Sequence, residues 1–126
     1  MDDEGSSMAD IAVGIDLGTS NSCVAVSSEG KAEVLPNACG ESTTASVVHL
    51  DAEGRVSVGN DARAAAIRDP ENTIVSSKRL IGRYFFSEEV GKARSICAYP
   101  IVEGENHGVR VQVRDEVWSL PEVGAM

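Results

Sequence analysis

Between Ile11 and Val26 the chain reads IAVGIDLGTSNSCVAV, an apolar run that ends in a carboxylate, a turn of small residues, and a second apolar run. Two strand-like runs joined by so few residues specify an antiparallel hairpin. Asp16 falls where the first run meets its turn. Gly18, Thr19, Ser20 and Asn21 offer a backbone that can approach an anion closely, with hydroxyls and an amide beside it. The turn is therefore a candidate phosphate site. The same residues also suit an ordinary hairpin turn in which Asp bonds only local backbone, and residue chemistry by itself leaves both readings open.

The rest of the chain alternates strand and helix signals. Ile11–Leu17, Ser22–Ser28 and Lys31–Leu35 read as three antiparallel strands, the last two joined by a Ser-Glu-Gly turn. Ser46–Leu50 and Arg55–Val58 read as another hairpin around Asp51-Ala52-Glu53-Gly54. The alanine-rich Asp61–Ile67 predicts a helix that ends before Asp69-Pro70, because proline disfavours helical backbone before it. Asn72 or Thr73 as a cap predicts a helix through Lys78 to about Ile81, stopped by Gly82. A short helix is expected over Ser87–Ala93. A β meander follows from Ile96–Val102, Val109–Arg114 and Val117–Trp118, with Glu105-Asn106-His107-Gly108 as one turn. Ser119-Leu120-Pro121-Glu122 has the spacing of a capping box with proline in the first turn, a helix start only a few residues from Met126.

Composition sets the remaining bounds. A net charge of −9 and a pI near 4.6 speak against nucleic acid as the main partner. Residues 1–10, MDDEGSSMAD, hold four acids and no base and read as a disordered acidic leader. They lack the basic start and apolar centre of a secretion signal, and no run approaches the length of a membrane span. Cys23, Cys39 and Cys97 lack metal-ligand spacing, which suits reduced thiols in a cytoplasm. His49 in a strand pattern and His107 in a turn have no triad or metal arrangement around them in sequence, so both read as structural, and Trp118 reads as packed within the meander.

Four ordered segments carry a family resemblance: GIDLGTSNSCVAV at Gly14–Val26, LPNACGESTTASVV at Leu35–Val48, VGNDARAAAIRDPENTIVSSKRLIGRYF at Val58–Phe85, and the closing SLPEVGAM. Together they resemble the N-terminal part of the ATPase domain of the DnaK-type, seventy-kilodalton heat-shock chaperones. The resemblance covers the chain from about Ile11 to Met126. It implies an α/β, actin-like (ribonuclease H-like) fold that is incomplete here. Residues 11–126 would hold a first-lobe β-sheet remnant and an inserted α+β subdomain over about 36–120, with the second lobe and the peptide-binding domain missing.

The resemblance also implies chemistry, residue by residue. Asp16 matches the carboxylate beneath the nucleotide's metal, acting through metal-bound water, since Mg²⁺ keeps several waters and takes few carboxylates. Gly18, Thr19, Ser20 and Asn21 match the loop that wraps the β- and γ-phosphates, with Ser20 where the family usually has threonine. Lys78 matches the lysine that approaches the γ-phosphate and the attacking water; its charge suits developing negative charge in phosphoryl transfer. Thr43 matches the threonine that senses the γ-phosphate and the metal. It lies in Thr43-Thr44-Ala45-Ser46, which lacks the family's usual proline, and Ser42 occupies a position that is often arginine. Loss of a proline loosens local backbone by on the order of 0.4–1 kcal/mol.

The implied cofactors are ATP/ADP and Mg²⁺. The implied partners of the intact protein are unfolded client peptides, a J-domain co-chaperone and a nucleotide exchange factor, in the cytoplasm. Little ATPase activity is expected from this segment by itself. Two other readings remain: a truncated product without independent activity, and a piece of an actin-like sugar kinase, against which SSKRLIGRYF argues.

Overall fold

The computed structural model describes residues 11–126; the acidic leader expected over 1–10 lies outside the described residues. The opening hairpin forms as its pattern dictates. Strand β1 (Ala12–Leu17) pairs antiparallel with β2 (Asn21–Ser28), and β2 pairs with β3 (Lys31–Leu35). Ser28 faces Lys31, so Glu29 and Gly30 make the whole second connection, with φ of 53° and 78°. Two successive positive φ values are the type I′ pattern, whose twist matches that of the flanking strands. A two-residue strand, β4 (Thr44–Ala45), then pairs with the start of β2 through Asn21–Ala45 and Ser22–Thr44.

Two further antiparallel sheets follow. β5 (Val47–Leu50) lies between β6 (Val56–Val58) and β7 (Thr73–Val75). β9 (Val109–Val113) lies between β8 (Ile101–Glu103) and β10 (Glu116–Ser119). Among the described residues three α-helices complete the mixed α/β architecture: α1 (Asn60–Arg68), α2 (Glu88–Ile96) and α3 (Leu120–Ala125). In α2 the Ser87 side chain accepts from Val90 N–H, with Glu88 and Glu89 in the first turn and Arg94 in the last, each sign favourable for the helix dipole. The capping box of α3 forms in full, Ser119 accepting from Glu122 N–H and Glu122 accepting from Ser119 N–H.

One expected element is replaced. Residues 73–81 do not form a helix: Thr73–Val75 pairs with β5 through Val47–Val75, Val48–Ile74 and His49–Thr73. This β-branched run fits a pleated sheet better than a helix, and pairing buries Thr73 and Ile74 almost completely. Ser76 then turns the chain at φ 55°, leaving one 3₁₀ turn, Ser77–Leu80, to carry Lys78. A second boundary moves as well. Ile96 ends α2 instead of opening a strand, and the meander starts only at Ile101, after Pro100.

The core draws on the second and third sheets and the segments packed on them. Val48, Leu50, Ile74, Leu80, Phe85, Val90, Tyr99, Ile101, Val111, Val113, Trp118, Leu120 and Val123 form one buried cluster between the second and third sheets. A smaller one, Ala45, Val47 and Ala62, seats α1 on the other side of β5. Burying each large aliphatic side chain contributes about 1.5–3 kcal/mol. None of the buried apolar residues comes from β1, β2 or β3; the first sheet is held by its ladder, by β4 and by the edge of α3. Val13 and Ile15 of the edge strand β1 are 63% and 69% exposed.

Candidate functional site

The β1–β2 turn is shaped first by its own backbone. A Cβ on Gly18 would lie 2.2 Å from the Asn21 carbonyl oxygen, closer than any real contact, so glycine is required there before any ligand is considered. The turn is also tied to the segment that follows β4. Ser46 Oγ donates to the Gly18 carbonyl at 2.8 Å, and Ser46 N–H donates to the Ser20 carbonyl at 2.9 Å. In the sequence Ser46 stands only as the start of the expected strand Ser46–Leu50 and the last residue of Thr43-Thr44-Ala45-Ser46, with no role of its own.

Asn37 is a second such residue. Its Oδ1 accepts from the N–H groups of Cys39 and Glu41 at 2.9 and 3.0 Å, while its Nδ2 donates to the Thr43 carbonyl at 3.2 Å and to Thr44 Oγ1 at 3.1 Å. One amide thus uses donors and acceptor together to fold the loop between β3 and β4. An Asn placed after a proline and ahead of a glycine, Pro36-Asn37-Ala38-Cys39-Gly40, was the available signal in the sequence for such an Asx turn. Thr43 is held through its carbonyl, in an exposed stretch of this loop.

A cavity of about 450 Å³ opens beside the turn. Gly18, Thr19, Ser46 and Lys78 line it together with apolar residues such as Leu17, Val24, Leu35 and Val123. Lys78 reaches it because β7 returns antiparallel along β5 and delivers the 3₁₀ turn to that side. The structure thus brings Gly18, Thr19 and Lys78 to one cavity from distant parts of the chain. Ser42 and Thr44 also line it, whereas Asp16, Ser20, Asn21 and Thr43 do not.

Asp16 is exposed in β1 opposite Cys23. Side chains alternate along a strand, so Asp16 and Leu17 project from opposite faces of the first sheet, and Cys23, the residue opposite Asp16, lines the cavity together with Leu17. Among the described residues no group of three or more His, Cys, Asp and Glu side chains gathers to enclose a metal. A lone carboxylate such as Asp16 is compatible with Mg²⁺, because this ion keeps most of its waters and binds through one or two carboxylates plus substrate phosphates. The turn carries the hydroxyls of Thr19 and Ser20 directly after a glycine that its own backbone requires, donor groups of the kind that a phosphate accepts from.

The histidines serve the scaffold. His49, 7% exposed, contacts Asp69 Oδ2 through Nε2 at 2.9 Å, and Arg114 Nη2 donates to the same oxygen at 2.7 Å. The hydrogen bond from His49, then that from Asn72, with the nearby Arg114 charge, hold the Asp69 carboxyl below its ordinary range. His107 pairs with Glu103 on the surface, beside the rings of Tyr84 and Phe86. Burial, reinforced by Cys97, pushes the Tyr99 hydroxyl up, and it donates to the Val75 carbonyl at 2.5 Å, fastening the end of β7 just before the Lys78 turn. Among the described residues no helix is long and apolar enough to cross a membrane.

Compared with known protein families, the chain matches the family model described as Hsp70 protein over residues 12–126.

Proposed function

The chain belongs to the Hsp70 family, and from that premise we propose that residues 11–126 act as the N-terminal part of a DnaK-type ATPase domain, in which bound ATP is hydrolysed to drive a chaperone cycle. Family membership implies a chaperone-type ATPase of actin-like fold that uses nucleotide and Mg²⁺ and works on client peptides with co-chaperones. The finer reading assigns the first sheet to the base of the first lobe and residues of about 36–120 to an inserted subdomain. A J-domain co-chaperone, a nucleotide exchange factor and a cytoplasmic setting belong to the same reading.

One observation carries it: Gly18 and Thr19 of the turn share a cavity with Lys78 of the 3₁₀ turn. In this proposal the turn from Gly18 to Asn21 binds the β- and γ-phosphates through backbone N–H groups and the hydroxyls of Thr19 and Ser20. The Lys78 ammonium stabilises negative charge on the transferring group, where a fixed cation matters most at the transition state. Thr43 contributes a hydroxyl toward the same phosphate from a loop whose backbone Asn37 organises. Asp16 would hold Mg²⁺ through water, and the ion, when bound, neutralises charge on the phosphate oxygens. The described residues provide one wall of such a site, so the 126-residue chain is expected to turn over ATP slowly, positioning being most of phosphoryl-transfer catalysis.

Calorimetric titration of the 126-residue chain with ATP, with and without Mg²⁺, tests the reading. Binding that needs Mg²⁺ and is weakened in both Asp16→Asn and Thr19→Ala is expected. A chain that keeps its Trp118 folding signal yet takes up no Mg·ATP overturns the proposal.

A further inference from the structure

We propose that Ser46 is a positioning residue that aims the N–H groups of the β1–β2 turn at an anionic ligand; the proposal rests on the phosphate reading of that turn. Ser46 follows β4 directly and meets the turn twice, through Oγ on the Gly18 carbonyl and through its N–H on the Ser20 carbonyl. The described residues contain no cis peptide bond, and in a planar trans peptide the N–H points opposite to the C=O. With the carbonyls of Gly18 and Ser20 both turned toward Ser46, the N–H groups of Thr19 and Asn21 are both turned away from it. Two N–H groups aimed to one side of a tight turn form a concavity for an anion. Rotation of either peptide would instead present a carbonyl oxygen, which repels phosphate.

The hydroxyl is itself oriented. Ser22 Oγ lies 2.8 Å from Ser46 Oγ. A serine has one proton to donate, and that of Ser46 goes to Gly18, so Ser22 donates to Ser46 and the chain runs Ser22, Ser46, Gly18. Successive hydrogen bonds polarise one another, which strengthens the last link. The residue before this pair of contacts is anchored too: Ala45 is buried against Val47 and Ala62, so Ser46 acts from a fixed point of the core. Thr44, bonded to Asn37, ties the same two-residue strand to the loop that carries Thr43. Ser46 is thereby the link through which order in that loop reaches the phosphate-facing turn.

NMR relaxation and Mg·ATP titration on the 126-residue chain, comparing Ser46→Ala and Ser46→Thr with the wild type, test the proposal. Order parameters of the Thr19 and Asn21 amides are expected to fall from about 0.85 to below about 0.6 in Ser46→Ala. Mg·ATP affinity should drop about tenfold with the lost hydrogen bond, while amides of Val47–Leu50 keep their protection. Ser46→Thr, which retains the hydroxyl, restores both. Unchanged order parameters at Thr19 and Asn21 in Ser46→Ala overturn the positioning role whatever the chain binds. A wild-type chain with a rigid turn that binds no Mg·ATP overturns the functional reading instead.

Discussion

Arg114 donates through Nη2 to Oδ2 of Asp69 at 2.7 Å, joining the turn between β9 and β10 to the end of α1. The same guanidinium gives its Nε–H to the Leu50 carbonyl, and Asn72, beside Asp69, accepts from Arg114 N–H. This is the polar seam between the second and third sheets. It closes around a carboxylate that His49 also contacts, so the two sheets share one charged anchor.

Replacing Asp69 with Asn should therefore destabilise the chain by about 1.5–3 kcal/mol at neutral pH, the range for hydrogen bonds to charged groups. Because the folded carboxyl titrates below its ordinary value of 3.8, its contribution is present above that value and is lost as pH falls through the lower, folded value. Urea unfolding from pH 7 down to about pH 2 should show the gap between wild type and Asp69→Asn narrowing on the acid side of 3.8. A gap independent of pH would mean that the carboxylate charge contributes nothing.

Gly18→Ala should disorder the β1–β2 turn even without nucleotide, because its Cβ would meet the Asn21 carbonyl oxygen at 2.2 Å. The expected result is a shift of the Asn21 and Ser22 amide resonances in the ligand-free chain. Shifts that appear only when Mg·ATP is added would make the glycine a requirement of the ligand and not of the turn.

Lys78→Ala, in a protein in which this segment hydrolyses ATP, should lower the single-turnover rate on the order of 100-fold while changing nucleotide affinity little, as expected for a charge that acts mainly at the transition state. Equal losses in binding and rate would give Lys78 a ground-state role only.

The 126-residue chain should self-associate through β1. Among the described residues β1 is an edge strand on which Val13 and Ile15 are exposed, and an apolar edge of this kind pairs with further strands. Ile15→Lys introduces the kind of charge that protects natural edges. Sedimentation across a concentration series should show the wild type shifting to larger species and the variant remaining monomeric; a monomeric wild type at high concentration rules the edge out.

Local chemistry was legible in the linear chain wherever neighbours in sequence are also neighbours in space. The β1–β2 hairpin, the Glu29-Gly30 turn, the α1 segment before Pro70 and the Ser119–Glu122 capping box all depend on contacts within a few residues, so residue type and spacing suffice to read them. Thr73–Val75 shows where such reading fails. Its cap signals suggested a helix, yet pairing with β5 and burial of Ile74 outweighed local propensity. The site follows the same division. Gly18 through Asn21 were visible as a turn fit for an anion, and the resemblance singled out Lys78. That Lys78 shares a cavity with Gly18 and that Ser46 closes on the Gly18 carbonyl were decided by tertiary structure. Each depends on how strands far apart in the chain pair and pack, and on the core from Ala45 to Val123 that holds them, interactions with no trace in sequence spacing.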